Sequence, residues 1–167
     1  MAGLAHLGVG MAAKRVLPGV PAPVLVAAAY GIDIAWAGFW AAGLERFPEA
    51  GVVSTAPWSH GLFMSVVWSV AAGLVALLIT RNRRTSLLMG LLVFSHWIVD
   101  FIAKPMTHAF PSDSGLPLLF GGSPIVGLGV WGTAAGEFVG EYGTAALGIL
   151  VYILTRFKLK AHKRATC

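Results

Sequence analysis

Charged residues are scarce in this chain. Only 11% of its 167 residues are Asp, Glu, Lys or Arg, whereas a typical soluble domain carries about 25%. Apolar residues make up 57% of the sequence, and the mean hydropathy is +0.78. This composition excludes an ordinary water-soluble domain. It predicts one membrane domain, with no room for a second domain in a chain of this length.

Cysteine is almost absent, since Cys167 is the only one. A single cysteine excludes a disulfide within the chain and argues against a thiolate metal cluster. Lys14 and Arg15 follow the first apolar stretch instead of preceding it, so this stretch is not predicted to be a signal peptide. The formal net charge of +5 comes without interleaved basic and aromatic residues, and no nucleic-acid partner is predicted.

Four long apolar runs predict four transmembrane helices, because about 20 residues are needed to cross the hydrocarbon core. The runs cover residues 21–44, 58–80, 85–103 and 133–155. The stretch from Ala2 to Ala13 is apolar but too short to span a bilayer, and it predicts a half-helix or an interfacial helix. The expected fold is all-α, a polytopic membrane helix bundle with four transmembrane helices plus a short N-terminal half-helix.

The basic residues predict the orientation of this bundle. Ten of the twelve Lys and Arg residues fall on one side of a four-span arrangement, while Arg46 and Lys104 fall on the other. Cytoplasmic loops of membrane proteins carry the excess of Lys and Arg. Both termini are therefore predicted to be cytoplasmic.

A long outer connection, residues 104–132, joins the third and fourth predicted spans. It is rich in Pro and Gly, yet it also contains apolar residues such as Leu116 and Phe120. Long loops without regular structure are often functional. Two interpretations are open: a lid that folds back over the bundle, or a plain tether.

Ionisable side chains lie inside or at the ends of the apolar runs. They are Asp33, His60, His96, Asp100, Glu137 and Glu141. Each costs roughly 2.5–3.5 kcal/mol in hydrocarbon even on lenient insertion scales. The set contains imidazoles and carboxylates but no Lys or Arg, which is the chemistry of a metal site. His6 joins the set if the N-terminal half-helix reaches towards the middle of the membrane.

The spacing of these residues supports a shared site. His96 and Asp100 are four residues apart and therefore lie on one helix face. Glu137 and Glu141 repeat this spacing. Taken singly, each residue has another interpretation: an intramembrane His is often a hydrogen-bond partner between helices, and the two Glu residues lie in the first turns of their span. Taken together, two His and several carboxylates at similar depth favour a metal site.

The donor types suit zinc best, with manganese or iron as alternatives. His60, His96 and Asp100 are the first choice of metal ligands, and Asp33 or His6 completes or orients the ligand set. A metal with an open position supplies hydroxide by lowering the pKa of bound water. Glu137 is then the predicted general base, with Glu141 as its substitute.

The order of these motifs resembles that of the YdjM-like membrane proteins, which are commonly labelled metal-dependent hydrolases. The motifs are His6 in AHLGVG, Asp33 in YGIDIAW, Ser59 and His60 in PWSHGL, and His96 and Asp100 in SHWIVD. The chain is also similar, over nearly its whole length, to a group of bacterial membrane proteins. These share the HxxVGxAAKR start, WSH, SHWxxD and a GLGxW segment, here residues 127–131.

The resemblance implies a polar core of His6, Asp33, His60, His96 and Asp100, with Glu137 matching a glutamate of the bacterial group. It also implies the bacterial inner membrane as the location. The chain departs from the YdjM-like pattern in two ways: residues 54–57, just before Trp58 and Ser59, contain no additional His, and Ile32 replaces the usual Pro before the aspartate. These departures argue against a two-metal site.

Three functions follow as hypotheses. The first is a membrane-embedded metal-dependent hydrolase that acts on a lipid-like ester or phosphoester in the outer half of the membrane. The second is an accessory subunit of a larger membrane complex. The third is a small transporter or proton-coupled permease, which four spans allow only as an oligomer. Membrane lipids are expected partners in every case, and a homo-oligomer or a larger complex is an expected assembly.

Overall fold

The computed structural model describes residues 3–46 and 56–166, which are mostly helical. The described elements are α1 (Gly3–Ala12), a 3₁₀ turn (Ala13–Arg15), α2 (Ala22–Ala29), α3 (Gly31–Ala41), α4 (Leu62–Thr80), α5 (Arg83–Ala103), β1 (Leu116–Pro117), β2 (Ile125–Val126) and α6 (Ala134–Thr166). Residues 47–55, most of the predicted connection between the first two spans, lie outside the described residues, as does Cys167.

Among the described residues, three helices are long and apolar enough to cross a membrane: α4, α5 and residues 134–161 of α6. Their outward faces are apolar, as in Ile79, which is 76% exposed, and Val139, which is 69% exposed. Such a surface suits lipid and not water. The all-α prediction is confirmed, and the helices are consistent with a membrane protein. α6 runs on to Thr166 as one helix, beyond the predicted end at residue 155.

The first predicted span is broken into two helices. α2 and α3 meet at Tyr30 with a bend of 59°, so they form either one broken span or a re-entrant loop. Tertiary contacts accompany the bend. The Tyr30 hydroxyl donates a hydrogen bond to the carbonyl of Gly3, and a Cβ placed on Gly10 would lie 2.8 Å from Val26 Cα. Helix α1 therefore packs tightly on the segment just before the break.

Helix α1 is the predicted N-terminal half-helix, and it packs mainly against α6. Gly8 and Gly148 make this contact, and a side chain at either position would overlap the backbone of the other helix. The first backbone N–H groups of a helix have no partner within the helix. At this end of α1, Glu141 Oε2 accepts the N–H of Ala5 at 2.9 Å, so α6 holds the turn that carries His6.

Helices α4 and α5 form a tight hairpin. Arg81 adopts the left-handed conformation with φ 54°, and the side chain of Asn82 caps α5 by accepting the N–H of Thr85 at 3.0 Å. The two helices approach closely at Gly73 and Gly90, as small residues allow in membrane helix pairs. The hairpin places the C-terminal half of α5 beside α2 and α3.

The connection of residues 104–132 folds back on the end of α5. The last carbonyls of a helix lack partners within it. Here those of the last three residues of α5 and of Lys104, which follows it, accept N–H groups of the connection: Phe101 from Leu128, Ile102 from Val130, Ala103 from Trp131 and Lys104 from Gly129. A side chain at Gly127 would overlap the Lys104 carbonyl, and Gly129 has φ +62°. The connection is thus bonded to the bundle, and only glycine suits residues 127 and 129.

Candidate metal centre

Five ionisable side chains converge from four parts of the fold. His6 comes from α1, Asp33 from α3, His60 from the turn before α4, and His96 and Asp100 from α5. His6, His96 and Asp100 are each no more than 1% exposed. All five metal ligands expected from the sequence are therefore brought together, and they lie in the interior of the bundle.

The distances between these side chains define one compact cluster. Asp33 Oδ1 lies 3.3 Å from His60 Nε2 and 3.6 Å from His96 Nε2. Asp100 Oδ1 lies 3.3 Å from His6 Nε2, and Asp100 Oδ2 lies 3.7 Å from His60 Nε2. The rings of His6 and His96 stack with their centroids 3.6 Å apart.

Two groups within the cluster have the spacing of metal ligands. Asp33, His60 and His96 form one group, and His6, His96 and Asp100 form the other. In each group the ligand atoms lie within 4.8 Å of one another. Ligands bound to zinc at about 2.1 Å lie on the order of 4 Å or less from one another. Both groups therefore need only small movements to surround an ion.

The hydrogen bond of His96 determines which of its nitrogens is free. His96 Nδ1 lies 2.9 Å from the carbonyl oxygen of Ala29. Because a carbonyl can only accept, Nδ1 carries the proton, and in the neutral ring Nε2 has a lone pair. Ala29 is the last residue of α2, where the helix break leaves its carbonyl free for this bond.

His60 is held in the same way by a chain of two side chains. Glu45 Oε1 accepts the N–H groups of Trp58 and Ser59 at 2.8 and 3.1 Å. Glu45 Oε2 accepts the Ser59 hydroxyl at 2.7 Å. The single hydroxyl proton is thereby used, so Ser59 Oγ accepts from His60 Nδ1 at 2.8 Å. In the neutral ring, His60 Nε2 consequently has a lone pair as well.

Several polar atoms in the cluster lack a hydrogen-bond partner within the described residues. They are His6 Nε2, His96 Nε2, Asp33 Oδ1 and Asp100 Oδ1, all buried. Buried polar groups are nearly always satisfied by hydrogen bonds, water or an ion. All four atoms belong to the two groups with metal-ligand spacing, so the cluster could hold a cation.

The two glutamates predicted as bases have other contacts. Glu141 accepts the Ala5 N–H, one residue before His6. Glu137 lies 3.3 Å from Nδ1 of His108, and this pair is well exposed. Neither glutamate belongs to a ligand group in the described part of the chain. Their predicted catalytic roles stay predictions, whereas the contact of Glu141 supports a positioning role for His6.

Sequence reasoning missed two residues at the site, Glu45 and Lys104. Glu45 is only 3% exposed, although its position at the end of an apolar run suggested a loop. Lys104 Nζ lies 3.7 Å from Asp100 Oδ2. Lys104 follows Asp100 by four residues, and this spacing was a usable signal of their contact. Glu45 and Ser59 are 14 residues apart, and no local pattern in the sequence indicated that they meet.

No protein-family model matches the chain, and neither a curated protein nor a solved structure matches it.

Proposed function

We propose that the chain is a membrane metalloprotein that binds one divalent cation between His6, Asp33, His60, His96 and Asp100, and that it is a metal-dependent hydrolase. One contact in particular supports the proposed metal site. Where both rings are neutral, the lone pairs of His60 Nε2 and His96 Nε2 face Asp33 Oδ1, at 3.3 and 3.6 Å. Three acceptor atoms without a proton between them repel one another, and a cation among them removes the repulsion.

The charge and the donor types support a divalent ion. Among the five ligands, Asp33 and Asp100 carry the negative charges, and the imidazoles are neutral in the ligand form. A charge of +2 therefore balances the ligand set. Imidazole and carboxylate donors suit zinc, manganese or iron, and zinc is the first choice.

The shared position of His96 favours a single ion. His96 Nε2 belongs to both ligand groups, yet a neutral imidazole nitrogen has one lone pair. The two groups cannot both be filled through His96 at the same time. The stacked ring of His6 and the carboxylate of Asp100 then complete or orient the ligand set of one ion.

Hydrolysis is the reaction that best suits such a site. When bound, the cation lowers the pKa of a coordinated water and supplies a hydroxide nucleophile. The resemblance to the YdjM-like proteins supports the same class of reaction. A site between apolar helices suits a lipid-like ester or phosphoester as the substrate.

Metal analysis of the purified protein tests this proposal. We expect about one divalent ion per chain after purification without chelators. Asp33→Asn and His60→Gln are expected to lose the ion, whereas His108→Gln, which alters an exposed His away from the cluster, is expected to keep it. Wild-type protein that binds no divalent ion, even after incubation with zinc, manganese or iron, would overturn the proposal.

The broken first span favours a second candidate, transport of a divalent cation. Asp33 lies in the first turn of α3, where the positive end of the helix dipole favours a carboxylate. Broken helices of this kind form ion and substrate sites in transporters. Proteoliposomes loaded with a metal-sensitive dye distinguish the two functions, because a transporter admits the cation whereas a hydrolase only holds it.

An accessory role in a larger complex stays a prediction. It is tested by purification in mild detergent, where a stoichiometric partner is expected to co-elute.

A further inference from the structure

Lys104 places an ammonium group beside the candidate metal centre. It is the residue just after α5, one turn beyond Asp100, and its Nζ lies 3.7 Å from Asp100 Oδ2. This distance is longer than a hydrogen bond of 2.7–3.2 Å. The contact is therefore one between charges, and the donors of the ammonium group remain available to another acceptor.

The backbone at Lys104 is held firmly. Its carbonyl accepts the N–H of Gly129 at 2.7 Å, and its own N–H donates to the carbonyl of Asp100 at 2.8 Å. The side chain is 17% exposed, so it is neither fully buried nor free in solvent. An ammonium group held in this way can bind a ligand that enters the cluster from outside.

Binding of a divalent cation changes the charge around Lys104. Without the cation, Lys104 offsets part of the negative charge of Asp33 and Asp100. With the cation bound, the metal and Lys104 are two positive charges on either side of the same carboxylate, Asp100. Two cations held this close together attract an anionic ligand that reaches both.

We propose that Lys104 and the bound cation together form a site for a phosphate group, so that the substrate class is a phosphoester. This inference rests on the proposed metal site. A phosphate presents several oxygens, so that one can bind the metal while another accepts from Lys104 Nζ. Lysine is a common phosphate ligand that acts as a point charge, and a lysine–metal pair stabilises the charge of a phosphoryl group in reactions.

The cobalt-loaded protein in detergent provides the test. Its visible spectrum reports ligands on the metal, and it is titrated with inorganic phosphate. We expect a saturable spectral change in the wild-type protein. Lys104→Met and Lys104→Gln are expected to keep cobalt but to weaken phosphate binding at least about tenfold, the effect of a lost charge-assisted contact. Lys104→Arg is expected to restore most of it.

A matched control removes a charge elsewhere. Lys158 is exposed on α6, and Lys158→Met is expected to leave the phosphate titration unchanged. Two further arms separate the sources of the phosphate: a short-chain phosphatidylglycerol and a soluble phosphate monoester. A response to the lipid alone supports a headgroup, a response to the monoester alone supports a soluble phosphoester, and both support the shared chemistry.

Three results would overturn the inference. The first is a cobalt-loaded wild-type protein whose spectrum no phosphate compound changes. The second is unchanged phosphate affinity in both Lys104→Met and Lys104→Gln. Either of these leaves the metal site itself intact. The third is a protein that binds no cobalt or other divalent ion, which overturns the proposed function and the phosphate site together.

Discussion

The Ser59 hydroxyl donates its only proton to Glu45 Oε2 at a distance of 2.7 Å. This bond sets the direction of the chain that continues to His60, because the hydroxyl can then only accept from His60 Nδ1. Glu45 thus influences a nitrogen on the far side of the His60 ring, which it does not touch. Such partners behind a ligand fix its tautomer and tune metal affinity.

We predict that Glu45→Gln lowers metal affinity about 10- to 100-fold, although the side chain keeps its shape. The glutamine oxygen has to face the backbone N–H groups of Trp58 and Ser59. Its NH₂ group therefore faces the Ser59 hydroxyl oxygen and donates to it. The hydroxyl then donates to His60 Nδ1, and the proton of His60 moves to Nε2. Competition with a chromogenic chelator measures the affinity, and ¹⁵N NMR of the imidazole measures the tautomer.

The control for this prediction is Glu137→Gln. Glu137 lies in the exposed pair with His108, so this variant is expected to retain the metal affinity and the His60 tautomer. A Glu45→Gln protein whose His60 still carries its proton on Nδ1 would show that the chain does not act as described.

Removal of the metal is predicted to lower the thermal stability. A ligand present at about 100 times its Kd stabilises the native state by roughly 2.7 kcal/mol. For a protein of this size the loss corresponds to roughly 5–10 °C in Tm. Tryptophan fluorescence in detergent, with and without a chelator, measures the change. The Asp33→Asn protein serves as the control, since a chelator should not alter its Tm.

Gly127→Ala is predicted to destabilise the protein by about 1–3 kcal/mol, the usual cost of overpacking. The added methyl group would overlap the Lys104 carbonyl and separate residues 128–131 from the end of α5. Thermal unfolding measures the loss. Gly121→Ala lies in the same connection with open space around it, and its effect is expected to stay within about 0.5 kcal/mol. Equal melting temperatures for the two variants would contradict the assigned contact.

Gly148→Ala is predicted to lower both stability and metal affinity, because its methyl group would overlap the backbone at Gly8 and push α1 away with His6. The stability loss is expected to be about 1–3 kcal/mol. Gly143→Ala, on the same helix but with nothing nearby, is the matched control. Metal affinity that is unchanged in Gly148→Ala would indicate that His6 is not a ligand.

Glu141→Ala is predicted to cost about 1 kcal/mol, as the loss of a helix cap does, and to weaken metal binding through His6. Glu141→Gln keeps an oxygen for the Ala5 N–H and is expected to behave almost as the wild type. The comparison separates the observed cap from the predicted general base. A base requires the carboxylate, so a Glu141→Gln protein that keeps its metal but loses hydrolysis would favour the catalytic role.

Hydropathy predicted most of the fold. The runs at 58–80 and 85–103 correspond to α4 and α5, and the stretch from Ala2 to Ala13 corresponds to α1. The break at Tyr30 was not predicted, because α2 and α3 are both apolar and the bend lies beside the contact of α1 with α2. The extension of α6 from residue 155 to Thr166 was also not predicted. Its last turns are basic, and hydropathy indicates which residues suit lipid and not which residues form a helix.

The sequence by itself determined the helices that are apolar enough to cross a membrane and the identity of the candidate ligands, since long apolar runs and ionisable residues within them are both local properties. Only the tertiary structure decided that Ala29 and Glu45 set the tautomers of His96 and His60, and that Lys104 lies beside Asp100. The physical reason is that a hydrogen bond depends on atoms from distant segments meeting within about 3 Å, and residue order alone does not specify such distances.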